Sequence, residues 1–214
     1  MAKEPDVVPE AIADVDAPSA TLLAIRNGLK LGASLLFTWG IALGIKILLP
    51  RFLGPSLFGD INFADGFTTA AFILLSLGSD AYIRKEVAVR PSHATDFYGG
   101  TFVLRIGLAV CVLGGMALVL KATGRSADLW GLVMLYGVTQ FFVNANGTLS
   151  AILHAKGRVG AMSVLAVATK VIWAVGVLAA MATHAGLWAY AASYLASESV
   201  ETVVLYWLAR EHVG

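Results

Sequence analysis

Residues Val159–Ala182 read VGAMSVLAVATKVIWAVGVLAAMA, 24 residues with a single charge, Lys170, in the middle. At about 1.5 Å of rise per residue, that is about 36 Å of helix. The hydrocarbon core of a bilayer is about 30 Å thick, so the run is long enough to cross it. A barrel strand is only about ten residues long and alternates polar with apolar. Nothing in this run alternates that way. The expected element is a helix whose solvent is lipid.

Working outward, the same signature recurs. Apolar runs of membrane length span Leu29–Leu49, Ile61–Ile83, Phe97–Leu120, Leu129–Leu153 and Leu187–Leu208. With Val159–Ala182 they make six, and the expected fold is an all-α integral membrane bundle of about six transmembrane helices. Breaks separate them. Pro50 ends the first run, and residues 53–60, rich in Gly and Pro, form a turn-rich connection. Charged segments at Arg84-Lys85-Glu86, Lys121 to Arg125 and His154 to Arg158 end the next three, and Thr183-His184-Ala185-Gly186 makes a tight hairpin. Short connections imply antiparallel neighbours.

Composition agrees. Of 214 residues 58% are hydrophobic and only 14% charged, against about 25% charged in a soluble domain. Mean hydropathy is +0.77. The formal net charge of +1 gives no basic surface for nucleic acid. The single cysteine, Cys111, sits in an apolar run and reads as a small buried packing residue. Residues 1–28 read as a disordered, acidic cytoplasmic tail, with Glu4, Asp6, Glu10, Asp14 and Asp16 against Lys3 in the first twenty positions. That charge sign does not suit a signal peptide, so the first helix is expected to stay in the mature protein. Residues 209–214 form a second cytoplasmic tail.

Lys and Arg in the loops set the orientation. With the N-terminus inside, nine (Lys3, Arg26, Lys30, Arg84, Lys85, Arg90, Lys156, Arg158 and Arg210) fall on the inner side and three (Arg51, Lys121 and Arg125) outside. Both termini are therefore expected in the cytoplasm, in a multi-pass inner-membrane protein. Lys46, Arg105 and Lys170 lie within spans.

Charges at membrane depth are costly and normally face a partner, a bundle interior or a watery path. Lys170 lies about 16 Å into its helix, near the midplane, with Ser163 on the same face. It reads either as a cation lining a substrate path or as half of a structural ion pair. Glu198 and Glu201 lie at similar depth, beside a Ser193–Ser197–Glu201 stripe. They read as partners of Lys170 or as proton carriers. In the second run Asn62, Asp65, Thr69, Ser76 and Asp80 fall within roughly 60° of one another, opposite Phe63, Phe67, Ile73, Leu74 and Leu77. That stripe reads as a cavity wall or as interhelical hydrogen bonding. Gln140, Asn144 and Thr148 make a third stripe, interrupted by Asn146 and Gly147, beside a cavity or holding helices together. Arg105 either snorkels to the cytoplasmic surface or serves an anion, and Lys46 is expected to snorkel outward. Gly99-Gly100 and Gly114-Gly115 are expected to permit close helix approach.

No catalytic constellation is expected. His93, His154, His184 and His212 fall in loops or the tail without metal-ligand spacing, and no phosphate-cradling glycine loop is present. The chain reads as a non-enzyme with no cofactor and no metal.

Two stretches carry a resemblance: Leu49-Pro50-Arg51-Phe52-Leu53-Gly54-Pro55-Ser56-Leu57-Phe58-Gly59-Asp60 and Leu77-Gly78-Ser79-Asp80-Ala81-Tyr82-Ile83-Arg84-Lys85-Glu86-Val87-Ala88. Both resemble the bacterial polysaccharide biosynthesis family of O-antigen and exopolysaccharide flippases, relatives of the multidrug and toxin extruders and the lipid II flippases. The resemblance covers about the first 120 residues. It implies one lobe of a two-lobe transporter that moves undecaprenyl-pyrophosphate-linked oligosaccharide across the membrane by alternating access. It implies Arg84, Arg105 and Lys170 as cations for pyrophosphate, and Asp65 and Asp80 as path-lining or ion-coupling groups. Asn144, Glu198 and Glu201 join them as pathway candidates from the residues alone. Ser56 departs from the acidic residue common in that loop. Six spans are about half of the family's twelve to fourteen, so the chain is expected to be a truncated or half transporter, paired with a copy of itself or a separate second lobe. The alternatives are an ion-coupled drug exporter of the same fold and a non-transporting membrane scaffold or remnant.

Overall fold

The computed structural model describes residues 17–76, 85, 89, 94–155 and 158–213. Among them the chain is all-helical, in five elements: α1 (Ala17–Ser76), α2 (Ala94–Ala122), α3 (Ala127–Ala155), α4 (Val159–Ala182) and α5 (Gly186–Val213). The six expected apolar runs fall, as far as they are described, into five elements. The first run and the described part of the second share α1, and the expected turn-rich connection is helical apart from one residue. That residue is Gly54, at φ 76 and ψ 169, a backbone region open essentially to glycine alone. Pro55 follows at the first position of the second limb, where its fixed φ and missing N–H suit a helix start. One glycine and one proline thus replace a loop.

The break folds α1 back on itself. Lys46 and Asp65 are nineteen positions apart, about 28 Å along a straight helix, yet both line one cavity. The apolar stretch Gly28–Ile73, 46 residues long, therefore supplies two limbs, each near bilayer thickness. Val103–Ala122 and Gly160–Ala182 are also long and apolar enough to cross a membrane. Polar stripes lower the hydropathy of α3 and α5.

Two connections are closed by backbone geometry. After α2, Arg125 N–H donates to Leu120 C=O and Gly124 N–H to Lys121 C=O, both at 3.2 Å, with Gly124 at φ 62. This is a Schellman end. Ser126 then caps α3 by accepting from Leu129 N–H at 3.3 Å. After α4 the same pattern recurs: Ala185 N–H donates to Ala180 C=O and His184 N–H to Met181 C=O. Here His184 itself takes positive φ, 51°.

Packing is inverted relative to a water-soluble bundle. Leu36, Trp39, Val110, Leu118, Val175 and Val203 point outward. Arg105, Thr139, Gln140, Asn146, Thr148 and Ser197 are buried. Outside there is only lipid to satisfy, so polar groups find partners within. Helix α3 packs against all four others and lies at the centre. Cys111 is exposed rather than buried, because a thiol gains little by choosing protein over lipid. The glycine expectation is corrected too. A Cβ on Gly100, Gly114 or Gly115 would meet nothing within 4 Å. Close approach occurs instead at Gly176, where a Cβ would lie 2.8 Å from Ser193 Oγ.

Candidate functional site

Two adjoining cavities lie inside the bundle. The first, about 170 Å³, is lined by Lys46, Asn62 and Asp65 from both limbs of α1, Tyr136 from α3, Lys170 and Trp173 from α4, and Tyr190 and Tyr194 from α5. Pro50 contributes locally. It has no N–H to bond the carbonyl four residues back, that of Lys46. Lys46 and Lys170 both act electrostatically on Asp65. Tyr136 and Tyr194 pack at 6.0 Å between ring centroids, within the range of favourable aromatic pairs.

The second cavity, of the same volume, is lined by Thr38, Thr169, Lys170, Trp173, Ser197, Glu198 and Glu201. Lys170 and Trp173 belong to both. The Lys170 ammonium lies 4.6 Å from the Trp173 ring centroid, a cation–π contact. It also interacts electrostatically with Glu198 and Glu201. Lys170 is thus the point where an aromatic, cationic chamber meets an acidic one.

The two glutamates are held by hydrogen bonds. Asn146 Nδ2 donates to Glu198 Oε2 at 3.0 Å and to the Glu198 carbonyl at 3.2 Å. Thr202 Oγ1 donates to Asn146 Oδ1 at 2.6 Å. Thr169 Oγ1 donates to Glu201 Oε2 at 3.0 Å. Polar groups out of reach of water need such partners.

The structure brings Asp65, Lys170, Glu198 and Glu201 together around these cavities. Arg105 and Asn144 stand apart. Arg105 is 3% exposed. Its Nη1 donates to the Asn144 carbonyl at 2.7 Å and to the Thr148 hydroxyl. It turns into the bundle, tying α2 to α3, rather than snorkelling. Gln140 Nε2 donates to Thr69 Oγ1 at 2.8 Å, so these stripe members join α3 to α1. Asp80 and Arg84 lie outside the described residues, as does most of the second resemblance stretch. Among the described residues no group of three or more His, Cys, Asp or Glu side chains is placed to hold a metal.

Sequence reasoning missed the aromatic wall and Asn146. A signal existed. Tyr136 continues the Gln140–Asn144–Thr148 stripe backward by four, and Tyr190 and Tyr194 lead by fours into Glu198. Lys46, expected to snorkel outward, is exposed and also lines the first cavity.

The polysaccharide biosynthesis protein family has a sequence model that matches residues 24–213. The match reaches well past the first 120 residues and takes in every cavity-lining helix. No curated protein and no solved structure matches the chain. With all but the ends of the chain covered, this membrane protein belongs to the polysaccharide biosynthesis protein family.

Proposed function

We propose that the chain is a transporter lobe, not an enzyme, that moves a lipid-linked oligosaccharide across the cytoplasmic membrane, with both termini inside. One observation carries the reading: a basic residue at mid-depth, Lys170, is shared by two cavities within a lipid-facing bundle, one largely aromatic and one acidic. An ionisable residue held at that depth marks a path by default. The chemistry of the first cavity suits the cargo. Lys46 and Lys170 are partners for a diphosphate, the tyrosines and Trp173 offer faces to sugar rings, and Asn62 and Asp65 accept from hydroxyls.

Size supports a shared path. A volume of about 170 Å³ holds roughly six waters at about 30 Å³ each. That is room for one ring or one phosphate group, not an oligosaccharide. A second lobe, another copy or a separate chain, would supply the facing wall. Export of organic cations by the same fold is the weaker reading, because Lys46 and Lys170 oppose a cation at Asp65. The test is flipping of a fluorescent diphosphate-linked oligosaccharide in vesicles reconstituted with the protein and its partner lobe. Flipping above protein-free vesicles supports the proposal; a background rate contradicts it.

A further inference from the structure

The two cavities continue a series. A third, about 130 Å³, includes Ser34, Thr38, His154, Ser163 and Glu201 and shares Thr38 and Glu201 with the second. A larger groove, about 830 Å³, then shares Ser34 and Ser163 with the third. Its other walls include Lys30, Ala33 and Phe37 of α1 and Gly160, Val164 and Ala168 of α4. Phe37 is 54% and Val164 70% exposed, so the groove opens sideways to the bilayer. Four spaces with shared walls thus follow the α1–α4 seam from Lys30 to Lys46, about 24 Å of helix.

The spaces differ in kind. The groove is walled by small and apolar residues, with one cation, Lys30, near the start of the apolar stretch where a lipid phosphate sits. The third cavity has aliphatic walls too, such as Leu31, Leu165 and Leu205, but adds four hydroxyls, His154 and Glu201. An alkyl chain suits the first and sugar hydroxyls suit the second. An anion is drawn to Lys30 and repelled from Glu201. We infer that the α1–α4 seam is the loading site for a long-chain lipid phosphate, with its chain in the groove, its phosphate on Lys30 and its first sugar in the third cavity. This rests on the transport reading and names where the lipid end of that cargo engages.

The test uses a photoreactive polyprenyl phosphate with the full chain in phosphatidylcholine nanodiscs. Labelling is expected on residues 30–37 and 160–168. Gly160→Leu should lower it about tenfold, as losing the place of two chain methylenes implies. The variant should still fold, since a Cβ on Gly160 meets nothing within 4 Å. Lys30→Gln should weaken labelling by the phosphate and leave labelling by the matching polyprenol unchanged. Equal labelling by the polyprenol, or displacement by phosphatidylglycerol, overturns the inference in favour of an ordinary lipid seat. Labelling confined to the Tyr136–Tyr190 cavity overturns the seam but leaves the transport reading standing. Labelling nowhere overturns both.

Discussion

Asn146 of α3 and Glu198 of α5 are joined at 3.0 Å, amide to carboxyl, inside the bundle. The amide's other end accepts from Thr202 of the same helix, so one asparagine grips α5 twice. Asn146→Ala removes both contacts and leaves a half-buried carboxyl without its donor. Hydrogen bonds between membrane helices average about 0.6 kcal/mol and reach about 1.7 kcal/mol. A double-mutant cycle of Asn146→Ala with Glu198→Ala, read by unfolding in detergent, should give a coupling at the upper end of that range. A coupling near zero would mean that the contact does not hold α5.

Arg105 makes the corresponding link between α2 and α3. A hydrogen bond involving a charged group contributes about 1.5–3 kcal/mol. Arg105→Ala should lower unfolding stability by about that amount. Arg105→Lys should recover only part, because an ammonium lacks the planar fork. Full recovery by lysine would show that charge alone matters there.

Gly54 sits at φ 76 and ψ 169. Any side chain there costs about 1–3 kcal/mol. Gly54→Ala should lower the Tm and broaden the distance distribution between spin labels at Leu43 and Phe63, one on each limb. An unchanged narrow distribution would show that packing against α3 and α4, rather than the glycine, fixes the fold-back.

Gly176→Ala drives a methyl into Ser193, whose Oγ and Cβ would lie 2.8 and 3.0 Å away. It should destabilise the α4–α5 contact by about 1–3 kcal/mol, the usual cost of overpacking. Adding Ser193→Gly should restore stability. Failure of that rescue would place the damage elsewhere.

Much of this was legible in the residues because the bilayer imposes one rule: a spanning segment is long, apolar and helical. The run around Lys170 needs no more than that to be placed at mid-depth. The stripes on α3 and α5 were legible as well, since spacing by four sets a face. Which stripe meets which was not. Asn146 finds Glu198 only once α3 and α5 are neighbours, and helix order leaves no mark in hydropathy. Arg105 has a stem long enough to reach either the surface or α3, so its direction depends on Asn144 and Thr148 being there. Cys111 and Gly114-Gly115 misled because burial habits from water lose their force in lipid. The break between the first two runs was legible, but its brevity depends on one glycine at positive φ.

On the transport proposal, Lys170, between the aromatic and acidic chambers, serves the cargo. The most direct measurement is surface-polysaccharide export in cells lacking the native gene and complemented with Lys170→Ala, alongside the unfolding stability of the same variant. Export is expected to fall by about tenfold or more, the worth of one lost charge-assisted contact, while the protein stays folded. Export at the wild-type level from a stable Lys170→Ala protein would contradict the proposal.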